Sequence, residues 1–320
     1  MLLKPTLAYC NNRASPASTH PHSGEPDEWL ADTYLEPHGL VGFTFDFFVN
    51  WRTRSISNRL WIKRIVEPSF TPWPVLSHDI SDAVYQCDDE GKVKQLCGFA
   101  DRYGMSCHYF LFKESDDWEN SPSPIVAVSF GADGLVTDVR EVELSILMGR
   151  IQAHAGGPVP VGAKGLILGL STLECYLAND KKDEGAAWPG DADLVLVDSN
   201  FTPHAIIEFK KHTPSDRRFS FDDQKLSNYY RRGNNWSRDG RKYNRLAIFN
   251  DYLSGNGPPL PIIVVYYPVQ ESIEQVQLER VEGGDQELRT IESEFIPLPN
   301  VRNEESCRDF VASLLEMIES

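Results

Sequence analysis

Pro189-Gly190-Asp191-Ala192-Asp193-Leu194-Val195-Leu196-Val197, then Asp198-Ser199-Asn200, then Ala205-Ile206-Ile207-Glu208-Phe209-Lys210, is the stretch that decides how this chain folds. Its two hydrophobic runs are apolar on both faces, as buried central strands are, and Asp198-Ser199-Asn200 between them is a turn signal. In a strand, residues i and i+2 share a face, so Glu208 and Lys210 stand side by side while Phe209 faces the other way. Asp191 and Asp193 are likewise i and i+2 at the start of the preceding strand. Paired as a hairpin, the acidic start of one strand lies near the charged end of the other, bringing two or three carboxylates to one lysine. Buried charge is expensive unless it is paired or bound to a metal, so such a cluster needs a reason.

Working outward, Val139, Val142, Leu144, Leu147, Met148 and Ile151 recur at helical spacing behind the capping pair Asp138 and Glu141, which predicts a helix and a domain boundary near Leu135. A Gly/Pro-rich connection over 156–162 leads to a strand at 166–170 and a helix that Ser171 and Glu174 would cap. Beyond Lys210, residues 222–232 and 241–253 read as helices and 262–267 as another buried strand. Residues 275–281 and 287–296 read as an exposed hairpin around Glu282-Gly283-Gly284-Asp285. An amphipathic helix at 304–318 closes the chain, with Phe310, Val311, Leu314, Leu315 and Ile318 on one side. Residues 40–130 carry short aromatic-rich runs (40–51, 83–87, 93–99, 107–112, 125–130), with hairpin turns at Asp88-Asp89-Glu90-Gly91 and Asp133-Gly134. Residues 11–27 are rich in Ser, Pro, His and Asn and read as a mobile leader. No internal repeat is legible. The expected organisation is a leader (1–28), a β-rich recognition or regulatory domain (29–134), and a mixed α/β domain (135–320) with a central sheet flanked by helices.

The 320 residues are 41% hydrophobic and 24% charged, an ordinary globular composition. No run of about 18 apolar residues exists and residues 1–10 lack the pattern of a signal peptide, so the expectation is a cytoplasmic protein with no membrane partner. The six cysteines are dispersed without a CxxC pair, which predicts reduced thiols. A net charge of −16 excludes a chain that coats nucleic acid over its whole surface. The charge is uneven, however: residues 208–245 hold eleven Lys/Arg against five acids, a local +6, leaving −22 for the rest.

Gly190-x-x-Asp193, the fifteen-position step to Glu208, and Glu208-Phe209-Lys210 together resemble the PD-(D/E)XK nuclease superfamily, which includes restriction endonucleases, Holliday-junction resolvases and RecB-like exonucleases. The resemblance covers about residues 171–267. It implies a restriction-endonuclease-like core, with Asp193, Glu208 and the backbone carbonyl of Phe209 binding Mg²⁺ (Mn²⁺ substituting) and Lys210 assisting the attacking water. The function implied is Mg²⁺-dependent nuclease (hydrolase) action on nucleic acid, DNA in preference to RNA by the superfamily's habits. Many members add an acid from the preceding helix. Glu174 either fills that role or simply closes a capping box with Ser171. RecB-like members carry Gln-x-x-x-Tyr after the lysine; here Gln224 is followed by Asn228 and then Tyr229, an imperfect match.

Gln224, Asn228 and Arg231 would share one face of the predicted 222–232 helix, and Lys225, Tyr229 and Arg232 the next. With Lys211, these are the expected nucleic-acid contacts, basic groups interleaved with aromatic rings. The alternative is a catalytically silent nucleic-acid-binding or assembly subunit, with a homodimer or protein partner engaged through the N-terminal domain. Catalysis is expected after Leu135, and Arg52, Arg54, Arg59, Lys63 and Arg64 form the one basic cluster before it. Neutralising Lys225, Arg231 and Arg232 is predicted to weaken binding alike for all substrates and to reduce the slope of log affinity against log salt by about one per contact. Titrations at several salt concentrations check this, and an unchanged slope would make the segment ordinary solvated surface.

Overall fold

The computed structural model describes residues 2–3, 9–10, 20, 22–67, 80–115, 117–159, 166–167, 172–179, 181, 184–186, 188–212, 219–231 and 239–320. The chain forms two compact units, one of Met1–Asn12 and Phe45–Gly190, the other of Arg13–Thr44 and Asp191–Ser320. Each is mixed α/β, a sheet with helices against it. No described helix is long and apolar enough to cross a membrane.

In the second unit, strands Gly190–Asp198 and Pro203–His212 form the expected antiparallel hairpin, with Ile206 opposite Val195 and Ile207 opposite Leu194. The Asp198 carboxylate makes the turn by accepting the N–H groups of Asn200 and Thr202, each at 2.8 Å. Pro203–His212 then pairs in parallel with Ile262–Pro268, which requires a crossover; helix Gly240–Ser254 supplies it. Strands Gln275–Glu282 and Arg289–Pro297 add antiparallel, and helix Glu304–Glu319 follows. One sheet face, with Ile207, Ile263, Val265 and Leu278, packs on Phe310, Val311 and Leu314 of that helix. Ile206, Glu208, Lys210 and His212 alternate onto the opposite face.

The first unit uses the same devices. From Phe45 on, strand Leu40–Asn50 runs antiparallel to Ser55–Val66, which pairs in parallel with Ser106–Phe112 across helices Ile80–Asp88 and Glu90–Arg102. Ile125–Phe130 and Val136–Val142 add antiparallel, and helix Leu144–His154 follows. Its core is aromatic: Phe48, Trp61, Phe110, Phe112, Trp118 and Trp188 pack together.

Several sequence expectations are corrected. Residues 83–87 and 93–99 are helical, because Val93, Leu96, Cys97 and Ala100 bury one helical face, and Asp89 caps the second helix by accepting the Lys92 N–H (3.1 Å) where a hairpin turn was expected. Short apolar runs fit either period, and here tertiary burial decided. Val139 and Val142 belong to a strand, so the next helix starts only at Leu144. Residue 135 lies inside the first unit. The expected 222–232 helix is replaced by two single 3₁₀ turns, Phe221–Asp223 and Leu226–Asn228. The first strand of the expected exposed hairpin, Gln275–Glu282, is largely buried. The basic cluster before Leu135 is partly consumed internally, with Lys63 on Glu174 and Arg64 on Asp88. Of the expected leader, residues 1, 4–8, 11–19 and 21 lie outside the described residues, as do Ser171 and Arg232.

Residues 22–29 are no leader. Trp29 is fully buried, donates its indole N–H to the Ser23 carbonyl, and meets the rings of Tyr267 and Phe310 edge-on at 5.8 and 5.4 Å. Trp29→Ala should therefore cost about 3–5 kcal/mol in denaturant unfolding. A fragment beginning at Leu135 lacks Trp29, Leu35 and Leu40, which belong to the second unit's core, and should show no cooperative transition. A fragment that unfolds like the full chain would remove residues 22–44 from that core.

Candidate functional site

Ile207 opposite Leu194 is the last paired step of the Gly190–Asp198/Pro203–His212 ladder, and one step further Glu208 comes opposite Asp193. There the ladder gives way to side chains: Asp193 Oδ2 accepts the Phe209 N–H at 2.8 Å, and the Asp193 carbonyl accepts from the Thr44 hydroxyl at 2.7 Å. Glu208 is fully buried. The Lys242 ammonium lies 2.5 Å from Glu208 Oε1 and 3.8 Å from Asp193 Oδ2. Glu208 Oε2 has no hydrogen-bond partner among the described residues.

Burial, then the charge of Glu208, raises the Asp193 carboxyl well above the ordinary carboxylate range. Burial raises Glu208 as well, partly countered by Lys242. For Lys242 itself, burial favours the neutral amine, but Asp193, Glu208 and Asp191 together outweigh it and hold the ammonium protonated well above its usual range. Lys242 stands in the first turn of helix Gly240–Ser254, where the helix N–H groups disfavour a cation, so the carboxylates keep it there. Next to it Tyr243 is fully buried, and its hydroxyl has no partner among the described residues.

Lys210, on the Glu208 face, pairs with the Asp239 carboxylate and lies 4.1 Å from the centre of the Tyr229 ring. Asp239 occupies the N-cap of helix Gly240–Ser254 without capping it, its side chain being used on Lys210. Phe209 gives its N–H to Asp193, while its ring joins the opposite, apolar face. Lys211 sits near Glu25 (3.7 Å) and over Tyr267 (5.7 Å). Gln224 and Tyr229 are buried: the Tyr229 hydroxyl donates to Gln224 Oε1, and Gln224 Nε2 donates to the Ser220 carbonyl at 3.1 Å. Lys225 and Arg231 are exposed, as is Asp191. Glu174 belongs to the first unit, where it accepts from Lys63 at 2.6 Å.

No family model, curated protein or solved structure matches this chain. The chemistry of the site therefore rests on its own residues. Among the described residues no group of three or more His, Cys, Asp or Glu could hold a metal. Asp193 and Glu208 nonetheless form a hard-oxygen pair around one cation, with one buried carboxylate oxygen unpartnered. That donor set suits Mg²⁺ or Mn²⁺, for which one or two carboxylates are enough when water and phosphate oxygens complete the shell.

Sequence reasoning missed Lys242 and Asp239. A signal existed: Arg241 and Lys242 stand in the first turn of a helix, against its macrodipole, which calls for a carboxylate partner.

Because the Asp193 carboxyl is raised in the folded state above its ordinary 3.8, its charged form opposes folding, and stability is recovered as pH falls through the raised value. Asp193→Asn, which can still accept the Phe209 N–H, should be the more stable protein at neutral pH by about 1.4 kcal/mol per unit of that rise. Its advantage should shrink as pH is lowered from 7 toward 3.8. Unfolding free energies measured across that range check this; a variant less stable than the parent at pH 7 contradicts it.

Proposed function

We propose that this chain is a metal-dependent nuclease whose second unit hydrolyses phosphodiester bonds. One observation carries the reading: a carboxylate pair, the fully buried Glu208 and the half-buried Asp193, at the open end of a hairpin, with Lys210 on the same strand face two residues beyond Glu208. Asp193 and Glu208 are the residues that would hold Mg²⁺ or Mn²⁺. A bound cation there would neutralise the phosphodiester and lower the pKa of an attacking water.

The chain's own groups supply the rest. Lys210 orients that water or stabilises the developing charge, and Asp239 with the Tyr229 ring fixes its ammonium. The Phe209 N–H fixes the Asp193 carboxylate against the next strand, so that both carboxylates are oriented before substrate arrives. Substrate is drawn by the locally basic 208–245 segment, in which Lys225 and Arg231 are exposed. DNA as the substrate, and the restriction-endonuclease-like identity of the core, rest on the resemblance of the Asp193–Lys210 stretch. The second reading, a catalytically silent binding or assembly subunit, is favoured by a different observation: the Lys242 ammonium already sits on Glu208.

Incubation of single-stranded and double-stranded, linear and circular nucleic acids with Mg²⁺, Mn²⁺ or EDTA separates the two readings. Asp193→Ala, Glu208→Ala and Lys210→Ala should each lower cleavage by about 10²-fold or more with the circular dichroism of the folded protein retained. Cutting of circles establishes endonuclease action, and loss in EDTA establishes metal dependence. Folded variants that all cut like the parent overturn this site, and a parent that cuts none of these substrates leaves only the silent reading.

A further inference from the structure

The two units repeat one another. Each contains an antiparallel hairpin, a helical crossover to a strand parallel with the hairpin's second strand, two further antiparallel strands, and a closing helix. The pairing register agrees where the hairpin meets the parallel strand. The parallel ladder begins at Arg59 opposite Ser106 in the first unit and at Ile206 opposite Ile262 in the second, each time on the first residue of the third strand. Counted from there, Trp61 takes the place of Glu208 and Lys63 that of Lys210. Across the hairpin, Asp46 is paired with Trp61, as Asp193 stands opposite Glu208. Asp46 and Lys63 are seventeen residues apart, and so are Asp193 and Lys210.

The first unit thus keeps an aspartate and a lysine at the corresponding positions but carries tryptophan where the second has its buried glutamate. The other groups there are committed elsewhere. Asp46 is buried and accepts the Trp188 indole N–H at 2.6 Å. Lys63 donates to Glu174 at 2.6 Å and lies 5.3 Å from the centre of the Trp188 ring. The Trp61 ring fills the space between, 4.1 Å from Phe110 and 4.5 Å from Phe48. With Trp61 in place of the glutamate, this position offers no second carboxylate across the hairpin from Asp46, where a hard divalent cation would take its oxygen donors.

We infer that the chain is two copies of one fold, of which the first is a silent copy whose carboxylate pair has been replaced by aromatic core, so that each chain carries a single cleavage centre, in the second unit. The single centre rests on the nuclease reading above; the duplication does not. A chain with one centre cuts one strand per productive encounter, so supercoiled circles should accumulate as nicked circles before any linear product.

The test is Mn²⁺ binding by titration calorimetry to the full chain and to Glu208→Gln, Asp46→Asn and Lys63→Met, each checked for folding by circular dichroism. Binding should be lost in Glu208→Gln and kept within about twofold of the parent in Asp46→Asn and Lys63→Met, as expected for independent sites. Asp46→Asn alters a buried hydrogen bond, and Lys63→Met gives a second route to the answer if that variant does not fold. A Mn²⁺ site that survives Glu208→Gln and is lost in Asp46→Asn or Lys63→Met overturns the silent-copy assignment while leaving the nuclease reading of the chain in place. Absence of Mn²⁺ binding in the parent overturns the nuclease reading and with it the single centre, but not the duplication, which rests on the pairing register.

Discussion

A carboxylate with no exposure on a central strand must be met by a cation or by hydrogen-bond donors, and the second unit is arranged around meeting that demand with a cation at Glu208. The strand that carries it is paired on both sides, to Gly190–Asp198 and to Ile262–Pro268, so Glu208 cannot swing out to water. The cation must come to it. It comes from the start of the crossover helix as Lys242, which would gain nothing at that helix end without the carboxylates.

Comparison with Glu279 shows why burial alone does not mark function. Glu279 is equally inaccessible, yet it accepts the Tyr266 hydroxyl (2.6 Å), the Thr290 hydroxyl (2.5 Å) and the Leu226 N–H (2.8 Å). Its lone pairs are used by the fold, and its effect is to pin the 3₁₀ segment at Leu226 against the sheet. Glu208 has one cation on one oxygen and, among the described residues, no hydrogen-bond partner on the other. An unpartnered polar atom costs stability, and structures retain such atoms chiefly where something else is to be bound.

The first unit resolves the same position in the opposite way. With Trp61 in place of the acid, burial is favourable without any cation, and the ring joins an aromatic cluster of that unit. Lys63 is then free to pair with Glu174, the acid that the sequence offered as a partner for the second unit's site. At this position the two units differ in kind: a buried charge held by a cation in one, packed aromatic hydrocarbon in the other.

The sequence by itself determined the hairpin over 190–212, its Asp198 turn and the shared face of Glu208 and Lys210, because strand alternation and turn chemistry are local. It also determined the closing helix, whose apolar stripe at Phe310, Val311 and Leu314 is periodic within one element. The run 93–99, expected as a strand, is helical and the expected 222–232 helix gives way to 3₁₀ turns, since a few apolar or polar residues satisfy more than one period and burial against other elements chose between them. The repeat was invisible because pairing register defines it: Trp61 and Glu208 share a place in the fold and nothing in chemistry. The partner of Glu208 was decided only by tertiary structure. A parallel pair forces the chain back through a helix that starts beyond the end of the Glu208 strand, and that return path, with no local signal linking positions 208 and 242, sets Lys242 against the carboxylates.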